Sequence, residues 1–398
     1  MSSRLGRDTL LTPLFVGFFF VQFLSFFGFQ MLNTNMSLYV AKIGGGNRAV
    51  GFVACAMTLA MVLSRPLAGM LLDSYSRRRI LIPAQACIIC IMVAYRYIHS
   101  IPALIVLRAV HGFFWAFSAT AVTAIVAEFL PRSRMGEGMG IFTIAIGLSM
   151  SAAPAIGFST VSSSGFPALF KLCAVAVACA MGLSIFLRPS GPVEQKPEKE
   201  SSKAVMFLPS ALPSGMLIAT VAFVSSAIMS FIPFYSVDRG ARSAVPFFTL
   251  SAMASLIVRP ISGKLVDSYP PRAVIFPSML VLTLSCAALA AAPFRGWMLT
   301  AAAAYGLSFG ALLGGLQAIS LTGADRSHYG SAVATFFLCF DIGNGIGPLF
   351  AGLSADFCGY RGTYAALTVL ACSLAVIYGV CSTICERKKL AKIATSGR

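Results

Sequence analysis

The chain has 398 residues, of which 58% are hydrophobic and only 11% charged, whereas soluble domains carry about 25% charged residues. That much apolar surface excludes a soluble globular protein. The net charge of +17 does not point to nucleic acid either, because the basic residues sit in short separate loops rather than on one patch or stripe.

A membrane crossing takes about 20 residues of helix, and apolar runs of suitable length follow one another along the chain. After Arg4 and Arg7, the first run covers residues 14–29. It lacks a small-residue cleavage site and is expected to be retained as helix 1. Further runs lie at 51–63, 80–94, 103–129, 141–156 and 174–187, and then at 216–234, 245–258, 273–292, 298–321, 332–355 and 364–385. The expected architecture is an all-α membrane protein with twelve transmembrane helices, six in each half. Lys and Arg concentrate in alternate loops: Arg77 to Arg79, Arg132 and Arg134, Lys196, Lys199 and Lys203, Arg272, Arg326, and Arg387 to Lys392. Positive loops stay cytoplasmic, so both termini are expected on the cytoplasmic side of a cytoplasmic (inner) membrane. Residues 188–205 are rich in Pro, Glu, Lys and Ser and read as a tether between an N-terminal bundle (1–187) and a C-terminal bundle (206–398).

The halves repeat each other. Residues 65–75, Arg-Pro-Leu-Ala-Gly-Met-Leu-Leu-Asp-Ser-Tyr, return as 259–269, Arg-Pro-Ile-Ser-Gly-Lys-Leu-Val-Asp-Ser-Tyr, with seven of eleven positions identical. Chance gives about one. The 194-residue offset also relates Gly112 to Gly306, Gly136 to Gly330, Phe142 to Phe336 and Pro154 to Pro348. Two copies of one orientation need an even number of crossings each. Parallel repeats about an axis along the membrane normal are a transporter architecture, with the substrate site between the halves near the midplane.

Shared residues read as scaffold and gate. Gly69 and Gly263 allow close helix approach in lipid. Asp73 and Asp267 can pair with loop arginines such as Arg77 and Arg272 and cap a facing helix N-terminus. Arg65 and Arg259 read as internal struts. Pro154, Gly157, Pro348 and Gly352 bend helices 5 and 11 or serve packing there.

Residues that differ between the copies are the better clues to transport. Asp341 has Gly147 as its mate, Arg108 has Ala302, and His111 has Tyr305. A lone charge in hydrocarbon costs about 2.5–3.5 kcal/mol or more, so a retained one faces a cavity or a partner. Asp341 lies about 18 Å into helix 11, and three roles stand open: proton coupling, a static ion pair with an arginine such as Arg108 or Arg259, and direct binding of a cationic substrate. Arg108, His111 and Trp115 share one helix face and can offer a cation, an imidazole and an aromatic wall. Gln22, Gln30, Asn33, Tyr235, Gln317 and Asn344 are candidate cavity donors and acceptors. Glu128 and Glu137 are expected to contact arginines of the loop between helices 4 and 5.

The residues around these positions resemble the major facilitator superfamily. Its loop 2–3 signature, G-x-L-x-D-R-x-G-R-R/K, is matched by Gly69, Leu71, Asp73, Arg77 and Arg78, with Ser74 and Ser76 replacing its Arg and Gly. The second copy keeps Gly263, Leu265, Asp267 and Arg272. The helix 4 signature R-x-x-Q/H-G appears as Arg108, His111 and Gly112. The helix 5 signature of antiporters, G-x-x-x-G-P-x-x-G, is matched by Pro154 and Gly157 but has Ser149 and Ala153 at its first two glycines; Gly343, Gly347 and Pro348 echo it in helix 11. Taken together these motifs resemble the twelve-helix drug:proton antiporter branch, which includes small-molecule and metallophore exporters. The resemblance implies two six-helix bundles working by alternating access, an acidic latch of the outward-facing state at Asp73 and Asp267, and an Arg108 that handles protons or substrate.

The expected function is secondary transport, led by proton-coupled efflux of a small organic molecule. The alternative within transport is a proton symporter for a nutrient or organic anion, with Arg108 holding a carboxylate. A membrane-embedded enzyme or lipid-handling protein needs converging ligands, and the three histidines, His99, His111 and His328, lie apart. Cys87 and Cys90 form a C-x-x-C in mid-helix without partners, so no metal is expected. No P-loop string is present, so neither ATP nor another cofactor is expected. The expected partners are a small-molecule substrate, protons and the lipid bilayer, with no nucleic acid and a monomeric state.

Overall fold

The computed structural model describes residues 10–187, 205–238, 245–291 and 295–396; the expected tether falls outside them except for Val205. Helix α1 (Pro13–Lys42) starts where Thr12 Oγ1 accepts from Phe15 N at 3.2 Å, with proline in the first turn. Both features satisfy or remove orphan amides. It is followed by α2 (Asn47–Ser74), α3 (Arg77–Ala94) and α4 (Ile101–Phe129). The segment Met135–Phe186 counts as 52 helical residues, about 78 Å at 1.5 Å per residue. That is far longer than a ~30 Å hydrocarbon core. It breaks at Gly165, where φ is 77°, a conformation that costs glycine nothing. The pieces are α5 (135–164) and α6 (166–186).

The second half follows the same plan with α7 (Leu212–Asp238), α8 (Val245–Ser268), α9 (Pro271–Ala291) and α10 (Arg295–Thr322). The segment Tyr329–Ser396 breaks at Gly359, φ 69°, into α11 (329–358) and α12 (360–396). Gly165 and Gly359 are 194 residues apart, so the turn chemistry obeys the repeat. Intrahelical prolines obey it as well: Pro66 matches Pro260, Pro83 matches Pro277, and Pro154 matches Pro348. Among the described residues the fold is twelve helices in two pseudo-symmetric six-helix bundles, and they make up ten continuous segments long and apolar enough to cross a membrane, two of which contain the glycine breaks.

Each bundle is closed by matched close crossings. A side chain at Gly112 would strike the backbone of Met57, and one at Gly306 would strike the backbone of Ser251, again a pair 194 residues apart. These set α4 on α2 and α10 on α8. Ser149, at a position where the antiporter signature has glycine, donates to Phe23 O of α1 at 2.9 Å. Its mate Gly343, and Gly347, the mate of Ala153, approach more closely, abutting the carbonyls of Ala219 and Phe223 on α7. The Gly-Pro strings therefore pack α5 on α1 and α11 on α7. Gly157 lies against Met31 and Asn35 of α1, and Gly352 lies near Phe231 of α7.

Candidate functional site

The two bundles meet along a seam made by α2 against α11 and α5 against α8. At the end carrying the basic loops, the seam is closed twice. Asp73 accepts from Gly330 N (2.7 Å) and Ser331 N (2.9 Å) at the start of α11. Asp267 accepts from Gly136 N (2.7 Å) and Glu137 N (2.8 Å) at the start of α5. Each carboxylate thus caps a helix of the opposite bundle, where orphan amides and the positive end of the helix dipole favour an anion. Beside the caps the backbones nearly touch. A side chain at Gly263 would meet the carbonyl of Gly136, and one at Gly69 would meet Ala334 and Ser331.

Arg77 ties this end together. It donates to Ala124 O (3.1 Å) within its own bundle and to Arg326 O (3.1 Å) across the seam, and it pairs with Glu128 and, at 3.9 Å, with Asp73. Arg132 reaches Ala324 O at 3.5 Å, also across the seam. The expectation that Glu128 contacts the arginines of loop 4–5 is corrected, since its partner is Arg77 of α3; Glu137 does pair with Arg134 of that loop, at 2.8 Å. Arg272 is half-buried at the start of α9.

Deeper in the seam lies Asp341. Its partner is neither Arg108 nor Arg259 but Arg65, whose Nε donates to Asp341 Oδ2 at 2.9 Å. Arg65 is fixed to its own bundle by Thr120 Oγ1 (2.9 Å) and Ala116 O (3.3 Å), and its guanidinium lies 4.7 Å from the Phe337 ring of the other bundle. Arg65 reads in the sequence as an internal strut. The pairing escapes sequence reasoning because a residue repeated in both copies looks like scaffold, and its partner lies 276 positions away.

Arg108, His111 and Trp115 do share a buried face of α4, and it turns toward α1 and α3. Trp115 stacks on Phe29, with centroids 4.0 Å apart and planes at 13°, and meets Phe26 edge-on at 4.9 Å. His111 is 0% exposed; Tyr95 Oη lies 3.3 Å from its Nδ1, and its Nε2 has no hydrogen-bond partner among the described residues. Arg108 donates from Nη2 to Asn33 Oδ1 at 2.6 Å, while its Nε and Nη1 are buried without hydrogen-bond partners among the described residues. A guanidinium at 2% exposure with two idle donors is set to receive an acceptor. Tyr95, which sequence reasoning missed, completes this cluster.

The other candidates scatter. Gln22 is buried with Nε2 unpartnered, and Gln317 is buried with Oε1 unpartnered. Gln30 is half-buried, and Asn33 and Asn344 are exposed. Tyr235 is corrected: its hydroxyl donates to Leu289 O at 2.7 Å inside the second bundle, and its ring packs on Tyr364, so it serves α7–α9 packing rather than a cavity.

Twin repeated bundles that meet at a capped seam with a buried ion pair across it form an architecture found in transporters. The sequence matches the family profile of the Major Facilitator Superfamily over residues 18–348 and 247–395, and the chain belongs to that family. It is a multi-pass membrane transporter, not an enzyme. Among its relatives, the multi-drug resistance efflux pump PmrA of Streptococcus pneumoniae is 23% identical over 375 residues, covering 90% of this chain and 92% of that one. The multidrug resistance protein MdtG of Enterobacter lignolyticus is 25% identical over 377 residues, covering 90% and 89%. The staphylopine export protein of Staphylococcus aureus is 22% identical, covering 87% and 89%. In fold the chain is similar to the human organic anion transporter MFSD10 (TM-score 0.76, 14% identity, covering 92% and 99%). It is likewise similar to the transporter FucP in the outward conformation (TM-score 0.75, 13% identity, covering 92% and 98%).

Proposed function

We propose that this transporter exports a small organic molecule in exchange for protons, with its basic loops and both termini in the cytoplasm. On this orientation the caps at Asp73 and Asp267 hold the cytoplasmic side shut, the outward-facing part of the cycle. The observation that carries proton coupling is the Arg65–Asp341 pair, because its two members belong to different bundles. Parting of the bundles pulls the guanidinium from the carboxylate. Removing one member of a buried pair leaves a costly charge in low dielectric, and a proton taken up by Asp341 removes that charge. Closure brings Arg65 back and drives the proton off. Arg108, on the α4 face, offers its idle donors to substrate or to the proton path. Efflux is supported by the relatives named as drug efflux pumps and an export protein, all at low identity.

A second reading, proton-coupled uptake of an organic anion, is favoured by one observation: the two unpartnered donors of Arg108 suit a substrate carboxylate. Everted membrane vesicles with an acidified lumen separate the two. A pH-sensitive dye inside reports proton release when organic cations, anions and neutral compounds are supplied outside. An exporter exchanges lumenal protons for its substrate and accumulates it uphill. Asp341→Asn is expected to abolish uphill accumulation while keeping substrate–substrate exchange. Uphill transport unchanged in Asp341→Asn removes the coupling role. Accumulation of substrate only in right-side-out vesicles reverses the direction.

A further inference from the structure

Arg65 and Arg259 occupy matched positions in α2 and α8, yet their surroundings are opposite. The two polar side chains that Arg65 holds, Asp341 and Thr120, have no counterpart around Arg259. The mate of Asp341 is Gly147, the mate of Thr120 is Gly314, and the mate of Phe337 is Thr143. Arg259 is 2% exposed, with Nε donating to Ser255 Oγ at 3.3 Å and Nη1 to the carbonyl of Thr143 on α5. Among the described residues no carboxylate lies within 4.0 Å of it. Gly147 faces it directly: a Cβ there would lie 3.5 Å from Arg259 Cζ and Nη2. Glycine thus stands in this half where the other half has an acid. The Arg65–Asp341 pair is neutral, and Arg108 and Arg259 leave the described interior with two uncompensated positive charges. Such an interior repels organic cations and attracts anions.

The geometry points to an oxyanion subsite at Arg259, in which a carboxylate or phosphate group of the transported molecule takes the place that Asp341 holds beside Arg65. This rests on the transporter reading and narrows its substrate to organic anions. The contact from Arg259 to Thr143 crosses the seam, so parting of α5 from α8 removes that acceptor. The guanidinium then faces the opening from the basic end with a forked donor set, the geometry that carboxylate and phosphate match. Ser255 Oγ stands beside it. A substrate anion loaded there satisfies Arg259 in the open state, as Thr143 O does in the closed one.

The test is binding by the full-length purified protein in nanodiscs, read by melting temperature at constant ionic strength balanced with chloride. The probes are phenylacetate, phenyl phosphate and the uncharged phenylacetamide. Saturable stabilisation by at least one of the two anions and none by the amide is expected; which anion acts distinguishes a carboxylate from a phosphate subsite. Gly147→Asp, which supplies the missing acid, is expected to weaken that anion about tenfold or more, the equivalent of one charge-assisted contact. Gly147→Ala adds the same Cβ without charge, has the flexible end of Leu256 at 3.0 Å as its nearest neighbour, and is expected to bind within about twofold of wild type. Arg259→Gln is expected to lose the effect. No stabilisation of wild type by either anion, equal stabilisation by the amide, or Gly147→Asp binding as wild type overturns the subsite. Intact anion binding without proton-driven flux in vesicles leaves the subsite standing and removes only the proton-coupled reading.

Discussion

Arg65 spends its guanidinium on both bundles at once, so what it contributes depends on its partner as well as its position. Breaking a buried ion pair by removing one member costs about 3–5 kcal/mol, whereas replacing both members by neutral groups costs far less. Arg65→Ala is therefore expected to lower the melting temperature of the purified protein sharply. The double variant Arg65→Gln, Asp341→Asn is expected to recover most of the loss; a double variant no more stable than Arg65→Ala contradicts the pairing. Arg108 behaves differently, because among the described residues it pairs with no acid that its loss would strand. Arg108→Ala is expected to reach the membrane with near-normal stability and to lose transport, and a variant that transports normally removes Arg108 from the pathway. Sequence alone singles out Asp341 and Arg108, because a charge inside an apolar run is conspicuous. It does not reveal which cation Asp341 meets, since that pairing is made across the seam by helices that are distant in the chain. Nor does it separate Tyr235 from the cavity candidates: a tyrosine that donates to a neighbouring helix carbonyl looks the same in sequence as one that lines a pocket.

At the scale of helices, the closing elements are pairs of backbones held apart by hydrogen atoms alone. At Gly263 a Cβ would collide with the carbonyl of Gly136, and backbone cannot rotate aside as a side chain does. Gly263→Ala is expected to force α5 and α8 apart at the basic end. The caps act on the same equilibrium more gently: losing a charged N-cap costs about 0.5–2 kcal/mol, and each 1.4 kcal/mol is tenfold in population. In a background free of the native cysteines, a single cysteine replacing buried Thr143 reports the change. Its maleimide labelling is expected to accelerate several-fold in Asp267→Asn and more strongly in Gly263→Ala. Unchanged labelling in both denies that this crossing governs opening. Glycines 69 and 263 and aspartates 73 and 267 stand out in sequence because the repeat displays them twice. The ends of α5 were less legible. The apolar run at 141–156 understates a helix that spans 135–164, since Ser159, Ser162, Ser163 and Ser164 lower the hydropathy while the backbone stays helical up to Gly165.

On the scale of the whole molecule, the repeat carries more than similarity of shape. One offset relates the kinks, the turns, the close crossings and the caps, so the two halves share a mechanical plan. They differ in where charge is placed: an acid–base pair on the α2–α11 seam, a bare guanidinium on the α5–α8 seam. The plan was readable from the sequence because every part of it recurs at 194 residues. The asymmetry of charge appears only when mates are laid beside their neighbours in space. If function requires the seam to part, joining the bundles at the basic end must stop turnover while leaving each bundle intact. Arg132 and Ala324 meet there across the seam. With Arg132→Cys and Ala324→Cys in a background free of the 11 native cysteines, a short disulfide-containing bis-methanethiosulfonate can bridge them and be released by dithiothreitol. Transport in vesicles is expected to stop on bridging and return on reduction, while either single cysteine treated alike keeps its rate. Full turnover in the bridged protein rules out movement of one bundle against the other at this end, and with it the loss and recovery of the Arg65–Asp341 pair on which the proposed proton exchange rests.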